Sequence, residues 1–371
     1  GWKPPAGGGA AHARRLRAVE ATLVAEGAEL KVLDSVGVAV LSGGWRAARR
    51  LRTALPGVVD FIERDRVVRT AQSTTFSDPL ASEQWALRAI RQADALQALG
   101  PALASQSREA VVAVADSGVD PDHVDLASRL WRNPREVARN GVDDDGNGFV
   151  DDVAGWNFAS GVPDVDDADG HGTHCAGIVA AAADNGRGVV GVAAGAKVRI
   201  MPLKFVQSGG GLMSDAIGAL EYALQNGADI SSHSFGGPDH SIAFERALER
   251  AARQGHVVVA AAGNEGRSVD RHPQYPCAYN TGNVLCVAAT NERSSLASFS
   301  NYGAGSVHLA APGVDILSTA LHGRYVESSG TSMAVPHVAG ALALLRAAFP
   351  HLGLLHLREL LLRTVRPLPG L

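Results

Sequence analysis

The chain has 371 residues, enough for about two domains and a sizeable core. Its 34 Lys and Arg against 38 Asp and Glu leave a formal charge of −4. That excludes the basic surface that nucleic acid or an anionic membrane would require. The longest apolar runs, residues 257–262 and residues 341–349 with Arg346 inside, are too short or interrupted to span a bilayer.

Residues 1–11 are rich in Gly, Pro and Ala and read as a loose segment. From there the pattern predicts a helix over 12–25, strands over 29–33 and 36–41 around a turn at 35–37, a second helix over 45–55 and a strand over 58–62. Helix, strand, strand, helix, strand is a split βαβ order that lacks its first strand. Residues 12–72 are therefore expected to form a small α+β unit of their own. The polar stretch 70–75 reads as an exposed, protease-sensitive linker.

From Phe76 onward strands and helices alternate, the signature of a parallel α/β sheet flanked by helices. Strands are predicted at 111–115, 198–203, 228–235 and 257–262, and helices at 171–183, 214–226 and 354–365. Polar residues stand where the strands end. Ligands bind beyond the carboxyl ends of parallel strands, so Asp116, Ser234 and Asn264 are expected around one crevice.

Three cysteines are too few for a disulfide scaffold. Cys277 and Cys286 bracket a polar, Gly-containing loop, which suits either a short-loop bridge or two unpaired core thiols. The chain opens on Gly1 and shows no charged segment followed by an apolar one, so a secretory signal is not expected within it.

The stretch 330–340 places Ser332 after a glycine and before the apolar run Met333, Val335, Val338, Leu342 and Leu345, which predicts a buried helix starting at the serine. Pro336 is expected in the first turn, where N–H groups have no helical partner. By itself Ser332 reads first as an N-cap, with a nucleophile as the other reading.

A serine nucleophile needs a base, and the base needs an acid to hold its tautomer. His171, flanked by Gly170 and Gly172, is the candidate base; its alternative is a metal pair with His174. Asp116 ends an apolar strand, where a carboxylate needs a partner, and His171 is the natural one. Asn264 offers an amide donor that could serve an oxyanion together with the Ser332 N–H.

Asp143, Asp145 and Asn147 put side-chain oxygens at alternate positions around Gly146, with Asp152 further on as a fourth candidate ligand, as calcium loops do, although Ala154 stands where an EF-hand has its bidentate glutamate. The other reading is a solvated acidic loop. Asp164, Asp166 and Asp167 form a further acidic face or are simply solvated.

Four motifs in order, residues 114–120, 171–174, 262–264 and 330–337, resemble the subtilisin-like serine proteases. The resemblance implies a mainly parallel twisted sheet flanked by helices, preceded by a small α+β, ferredoxin-like inhibitory propeptide over 12–72, with the peptidase domain over 73–371. It implies a serine endopeptidase working through an acyl-enzyme, with Asp116, His171 and Ser332 as the triad and Asn264 at the oxyanion. Ser234, Phe235 and Gly236 would pair with substrate as an added strand, and Ala261, Ala262, Gly263 and the region near Pro276 would line an apolar specificity pocket. The partners implied are protein or peptide substrates and the chain's own propeptide, removed by self-cleavage near 70–75.

The resemblance further implies a secreted monomer and structural calcium, with a second site at Asp78, Asp125 and Asp184. Cys175 resembles the free thiol of a subset of the family, open to mercurial or alkylating inhibitors. Relatives continue past the 354–365 helix with a glycine-bearing strand and a last helix, so the C-terminus is expected to be truncated, as is the first propeptide strand. The alternative is a catalytically inactive subtilisin-like binding or regulatory module.

Overall fold

The computed structural model describes residues 29–33, 38–42, 53, 76–207 and 210–368. The chain divides into two compact units, residues 1–72 and 73–371. In the first, β1 (Glu29–Leu33) and β2 (Val38–Ser42) pair antiparallel, with Glu29 opposite Ser42. The helix predicted at 12–25, the turn at 35–37, the strand at 58–62, the linker at 70–75 and all but Thr53 of the 45–55 helix lie outside the described residues.

The second unit is built on the strands β3 (Ala110–Asp116), β4 (Trp156–Asn157), β5 (Val198–Lys204), β6 (Ile230–His233), β7 (Val257–Ala261), β8 (Val284–Thr290) and β9 (Leu309–Pro312). They form a seven-stranded parallel sheet of order β4-β5-β3-β6-β7-β8-β9. The hairpin β10 (Ile316–Ala320) and β11 (Arg324–Ser328) stands apart from this sheet. β3, β7 and β8 are buried at every residue, which explains their unbroken apolar runs: both faces of the sheet are covered.

The helices are α1 (Trp85–Ala89), α2 (Gln92–Gln106), α3 (His171–Ala180), α4 (Met213–Gln225), α5 (Ile242–Arg253), α6 (Thr331–Ala348) and α7 (Leu354–Thr364). α3 and α6 share one core with Val112, Val114, Ile230, Val259 and Leu285. α5 belongs to another, burying Phe244, Ala247, Leu248 and Ala251 at the spacing of one helical stripe, while the Ser241 hydroxyl caps the Phe244 N–H at 3.2 Å. α6 is buried nearly all round, as a central helix must be.

After β3 the chain runs to the β4 edge, returns through β5, then crosses β3 to continue with β6. β3 is thus the topological switch point, and its carboxyl end is where such sheets open a crevice. Asp116 is its last residue.

Three expectations need correction. Pro336 stands in the second turn of α6, five residues beyond Thr331, and not in the first. The 171–183 helix ends at Ala180, because Ala181 turns extended and the Ala182 N–H bonds to the Asp125 carbonyl at 2.9 Å. Only Ile230–His233 of the 228–235 stretch pairs as strand, which frees Ser234 to Gly236 from the sheet. Among the described residues, no helix is long and apolar enough to cross a membrane.

Candidate active site

β3 delivers Asp116 at 4% exposure, and its Oδ1 accepts from the Ser117 N–H at 2.8 Å and from His171 Nδ1 at 2.7 Å. A carboxylate acceptor fixes Nδ1 as the protonated nitrogen and leaves Nε2 as a base. Gly172 permits the approach, since a Cβ there would lie 2.1 Å from the Gly118 carbonyl. Burial works against charge on His171, but the Asp116 charge and hydrogen bond, with Asp169 and Asp167 beyond, outweigh it and raise the imidazole pKa above 6.5.

His171 opens α3, whose first turn is held by Asp167. That carboxylate accepts from the N–H groups of Asp169 (3.0 Å), Gly170 (2.9 Å) and Thr173 (2.9 Å) and from the Thr173 hydroxyl (2.7 Å). Burial alone would raise the Asp167 pKa; these donors lower it. Asp167 is therefore a buried helix cap and not a solvated acid. An acid four residues before a helix-opening histidine was the available signal. His174 faces elsewhere: its Nε2 bonds the Val326 carbonyl at 3.1 Å, burial lowers its pKa to about 4, and among the described residues it joins no ligand cluster with His171.

Ser332 is the second residue of α6, and its N–H has no hydrogen-bond partner among the described residues. Pro336 lacks the N–H that would satisfy the Ser332 carbonyl four residues back. The Ser234 hydroxyl takes that place at 2.9 Å, with the Cys175 thiol at 3.5 Å. In return the Ser332 hydroxyl donates to the Ser234 carbonyl at 3.2 Å. Cys175, one turn after His171, thereby joins the first turn of α3 to Ser332. It is fully buried, and burial raises its thiol pKa well above the usual thiol value.

Asn264 follows β7. Its Oδ1 accepts from the Thr331 N–H (2.8 Å) and hydroxyl (3.0 Å), which turns the amide NH₂ the other way. A Cβ placed on Gly330 would lie 3.6 Å from both Asn264 Nδ2 and the Ser332 nitrogen, so these two free donors border one small volume. A developing negative charge there would meet both. Beside it, the backbone groups of Phe235 and Gly236 make no hydrogen bond among the described residues, while Gly237 pairs antiparallel with Tyr275. Ala261 and Ala262 are buried, and Gly263 holds φ +101° with the Asn301 amide 2.5 Å from where a Cβ would be.

This geometry has close parallels. A family model described as the subtilase family matches residues 107–370.

The chain belongs to the subtilase family.

It is 42% identical to subtilisin DY of Bacillus licheniformis over 214 residues, covering 57% of this chain and 76% of that one. It is 38% identical to the major intracellular serine protease of Bacillus subtilis over 238 residues, 64% of this chain and 68% of that one. Among solved structures, proteases from Pseudoalteromonas arctica superpose with a TM-score of 0.62 at 30% identity, covering 80% of this chain and 94% of theirs. This subtilase is thus a serine endopeptidase with the subtilisin-like fold.

The acidic residues of the subtilase group differently from the spacing-based expectation. Asp143 and Asp145 converge with Glu136, whose carboxylate atoms and theirs lie within 4.8 Å of one another. Among the described residues Glu136 Oε2 is buried without a partner, which fits a hard cation among oxygen donors. Asp152 instead turns into the core, where it accepts from Tyr222 (2.6 Å), Asn147 Nδ2 (2.8 Å) and Asn133 (3.0 Å), while Asn147 Oδ1 accepts from the Phe149 N–H (2.8 Å).

Asp78, Asp125 and Asp184 do not converge as a carboxylate ligand set among the described residues. Asp78 accepts from the Asp184 and Asn185 N–H groups, and Asp125 from Asn185, Val189 and Tyr325. Asp184 accepts from the Ser77 N–H. The three form a hydrogen-bonded clasp across the 122–126 turn and the 184–189 loop. Cys277 and Cys286 form a disulfide, resolving the alternative the sequence left open.

Proposed function

We propose that this subtilase cleaves peptide bonds through the triad Asp116, His171 and Ser332. The observation that carries the reading is the 2.7 Å hydrogen bond from His171 Nδ1 to Asp116. With Nδ1 so occupied, Nε2 takes the proton as Ser332 Oγ bonds to the substrate carbonyl carbon, after the hydroxyl rotates away from the Ser234 carbonyl. The carbonyl electron pair moves to oxygen, and Asn264 Nδ2 and the Ser332 N–H donate to that oxyanion. His171 returns the proton to the leaving amine as the C–N bond breaks, leaving an ester on Ser332. Water, deprotonated by Nε2, then releases the acid and restores the hydroxyl.

The unpaired backbone groups of Phe235 and Gly236 are suited to hold an extended substrate, and the small apolar walls at Ala261, Ala262 and Gly263 to take an apolar side chain. Residues 12–72 act as an inhibitory propeptide that the peptidase domain 73–371 removes in the 70–75 segment. Asp143, Asp145 and Glu136 would hold calcium, which adds fixed charge that stiffens the loop. The Cys277–Cys286 disulfide favours an oxidising compartment, hence secretion, although two relatives are named as intracellular.

The test is expression of the full chain beside Ser332→Ala. The wild type is expected to shorten to a peptidase-sized product and to hydrolyse unfolded protein, and the variant to remain full length and inert. Normal shortening of purified Ser332→Ala would overturn self-processing, and retained hydrolysis would overturn the triad.

A further inference from the structure

Asn301 lies 37 residues beyond Asn264 and is completely buried, yet no step of the chemistry uses it. Its amide is fully engaged, and every partner belongs to the loop that carries Asn264. Oδ1 accepts from the N–H groups of Glu265 (3.2 Å) and Arg267 (2.9 Å). Nδ2 donates to the Ala262 carbonyl (2.9 Å) and to Glu265 Oε2 (2.6 Å). Its own backbone N–H donates to the Gly263 carbonyl at 2.9 Å.

These bonds grip the chain on both sides of Asn264: residues 262 and 263 before it, 265 and 267 after it. Asn264 needs that support, because its side chain has one anchor, the Thr331 bonds to Oδ1, and must keep Nδ2 unpaired. A donor free to swing would spend part of its transition-state stabilisation on being ordered again. Gly263 completes the device. The Asn301 amide and the Glu265 carboxylate fill the space beside its Cα, at 2.5 and 2.8 Å from where a Cβ would stand.

We propose that Asn301 is a positioning residue that clamps the Asn264 loop and so aims the oxyanion donor. The proposal rests on Asn264 serving the oxyanion. Both donors of the Asn301 amide and both lone pairs of its oxygen are used, so neither Asp nor Leu, though close in size, reproduces the clamp. An aspartate would face the Ala262 carbonyl and the Glu265 carboxylate with like charge.

A double-mutant cycle in the full chain separates this role from bulk stability, with kcat counted per serine titrated by a fluorophosphonate. Asn264→Ala is expected to lower kcat about 100-fold or more with little change in KM. Asn301→Ala is expected to lower kcat about tenfold with KM within about threefold, and to cost less than about twofold when Asn264 is already alanine. An equal loss in both backgrounds, or a kcat within twofold of wild type, would overturn the clamp. Should Asn301→Ala yield no titratable serine, Glu265→Ala decides in its place. That side chain is 46% exposed and its removal deletes one clamp bond: a kcat loss that disappears in the Asn264→Ala background supports the proposal, and any other result rejects it. If Asn264→Ala alone is silent, the oxyanion assignment fails and the clamp falls with it.

Discussion

Pro336 removes a helical hydrogen bond from the carbonyl of Ser332, and the Ser234 hydroxyl replaces it at 2.9 Å. Ser234→Ala would leave that carbonyl with only the Cys175 thiol, a weak donor at 3.5 Å. An orphaned buried acceptor costs about 1–3 kcal/mol, and the residual thiol contact brings the expected loss to about 1–2 kcal/mol. In a unit spanning residues 73–371 that lowers Tm by about 1.5–2 °C per kcal/mol. Pro336→Ala restores an N–H at the right spacing, so in that background the same Ser234→Ala change should cost less than about 0.5 kcal/mol. The four proteins are best compared by thermal unfolding in a Ser332→Ala background, which prevents autolysis and leaves the backbone carbonyl in place. An equal Ser234→Ala cost with and without Pro336 would refute the reasoning.

The raised pKa of His171 sets the pH dependence of turnover. The base must be neutral, so kcat/KM should fall as pH drops through a midpoint above 6.5, and Asp167→Asn, by removing one nearby negative charge, should move that midpoint lower. A midpoint at or below 6.5 in the wild type contradicts this. Stability carries the opposite signature from four buried histidines: burial lowers His233 to about 3 and His174, His256 and His337 to about 4. Their folded pKa values lie below the unfolded value of 6.5, so their contribution is complete above pH 6.5 and is lost as pH falls from there toward 3–4. His233, with both ring nitrogens unpartnered among the described residues between Phe235 and Phe244, is the clearest case, and unfolding of His233→Phe should be less pH-dependent over that window. Finally, a chelator should lower Tm, by about 2.7 kcal/mol of linkage if calcium stood at 100 times its Kd, and Glu136→Gln should abolish the difference. An unchanged Tm in excess chelator removes calcium from the account.

The residues that sequence exposed and those it hid differ in how far they reach. Asp116 ends an apolar run, His171 sits between glycines and Ser332 opens an apolar helix, so each carries its signal within a few neighbours, and the structure joins the first two across 55 residues. The sheet was legible for the same reason, since strands buried on both faces must be apolar throughout. Asn301 has no such local mark: its meaning comes from a loop 34–39 residues away. Glu136 stands outside the alternating acidic stretch, yet it joins Asp143 and Asp145, while Asp152, inside the stretch, is drawn into the core by Tyr222, 70 residues on. Spacing arguments assume that the acidic side chains of one loop converge on each other, and here tertiary packing groups them differently. Pro336 reads as a first-turn residue because a proline in a helix interior is costly unless the orphaned carbonyl finds another donor, and that donor, Ser234, lies 98 residues upstream of Ser332.

The central claim is that Ser332 is the nucleophile and that His171 activates it. A tagged fluorophosphonate, reacted with the full chain and mapped by peptide mass spectrometry, tests it most directly. One adduct is expected, on Ser332, with labelling slowed by orders of magnitude in His171→Ala. An adduct on a different serine, or unchanged labelling of Ser332 without His171, would contradict it.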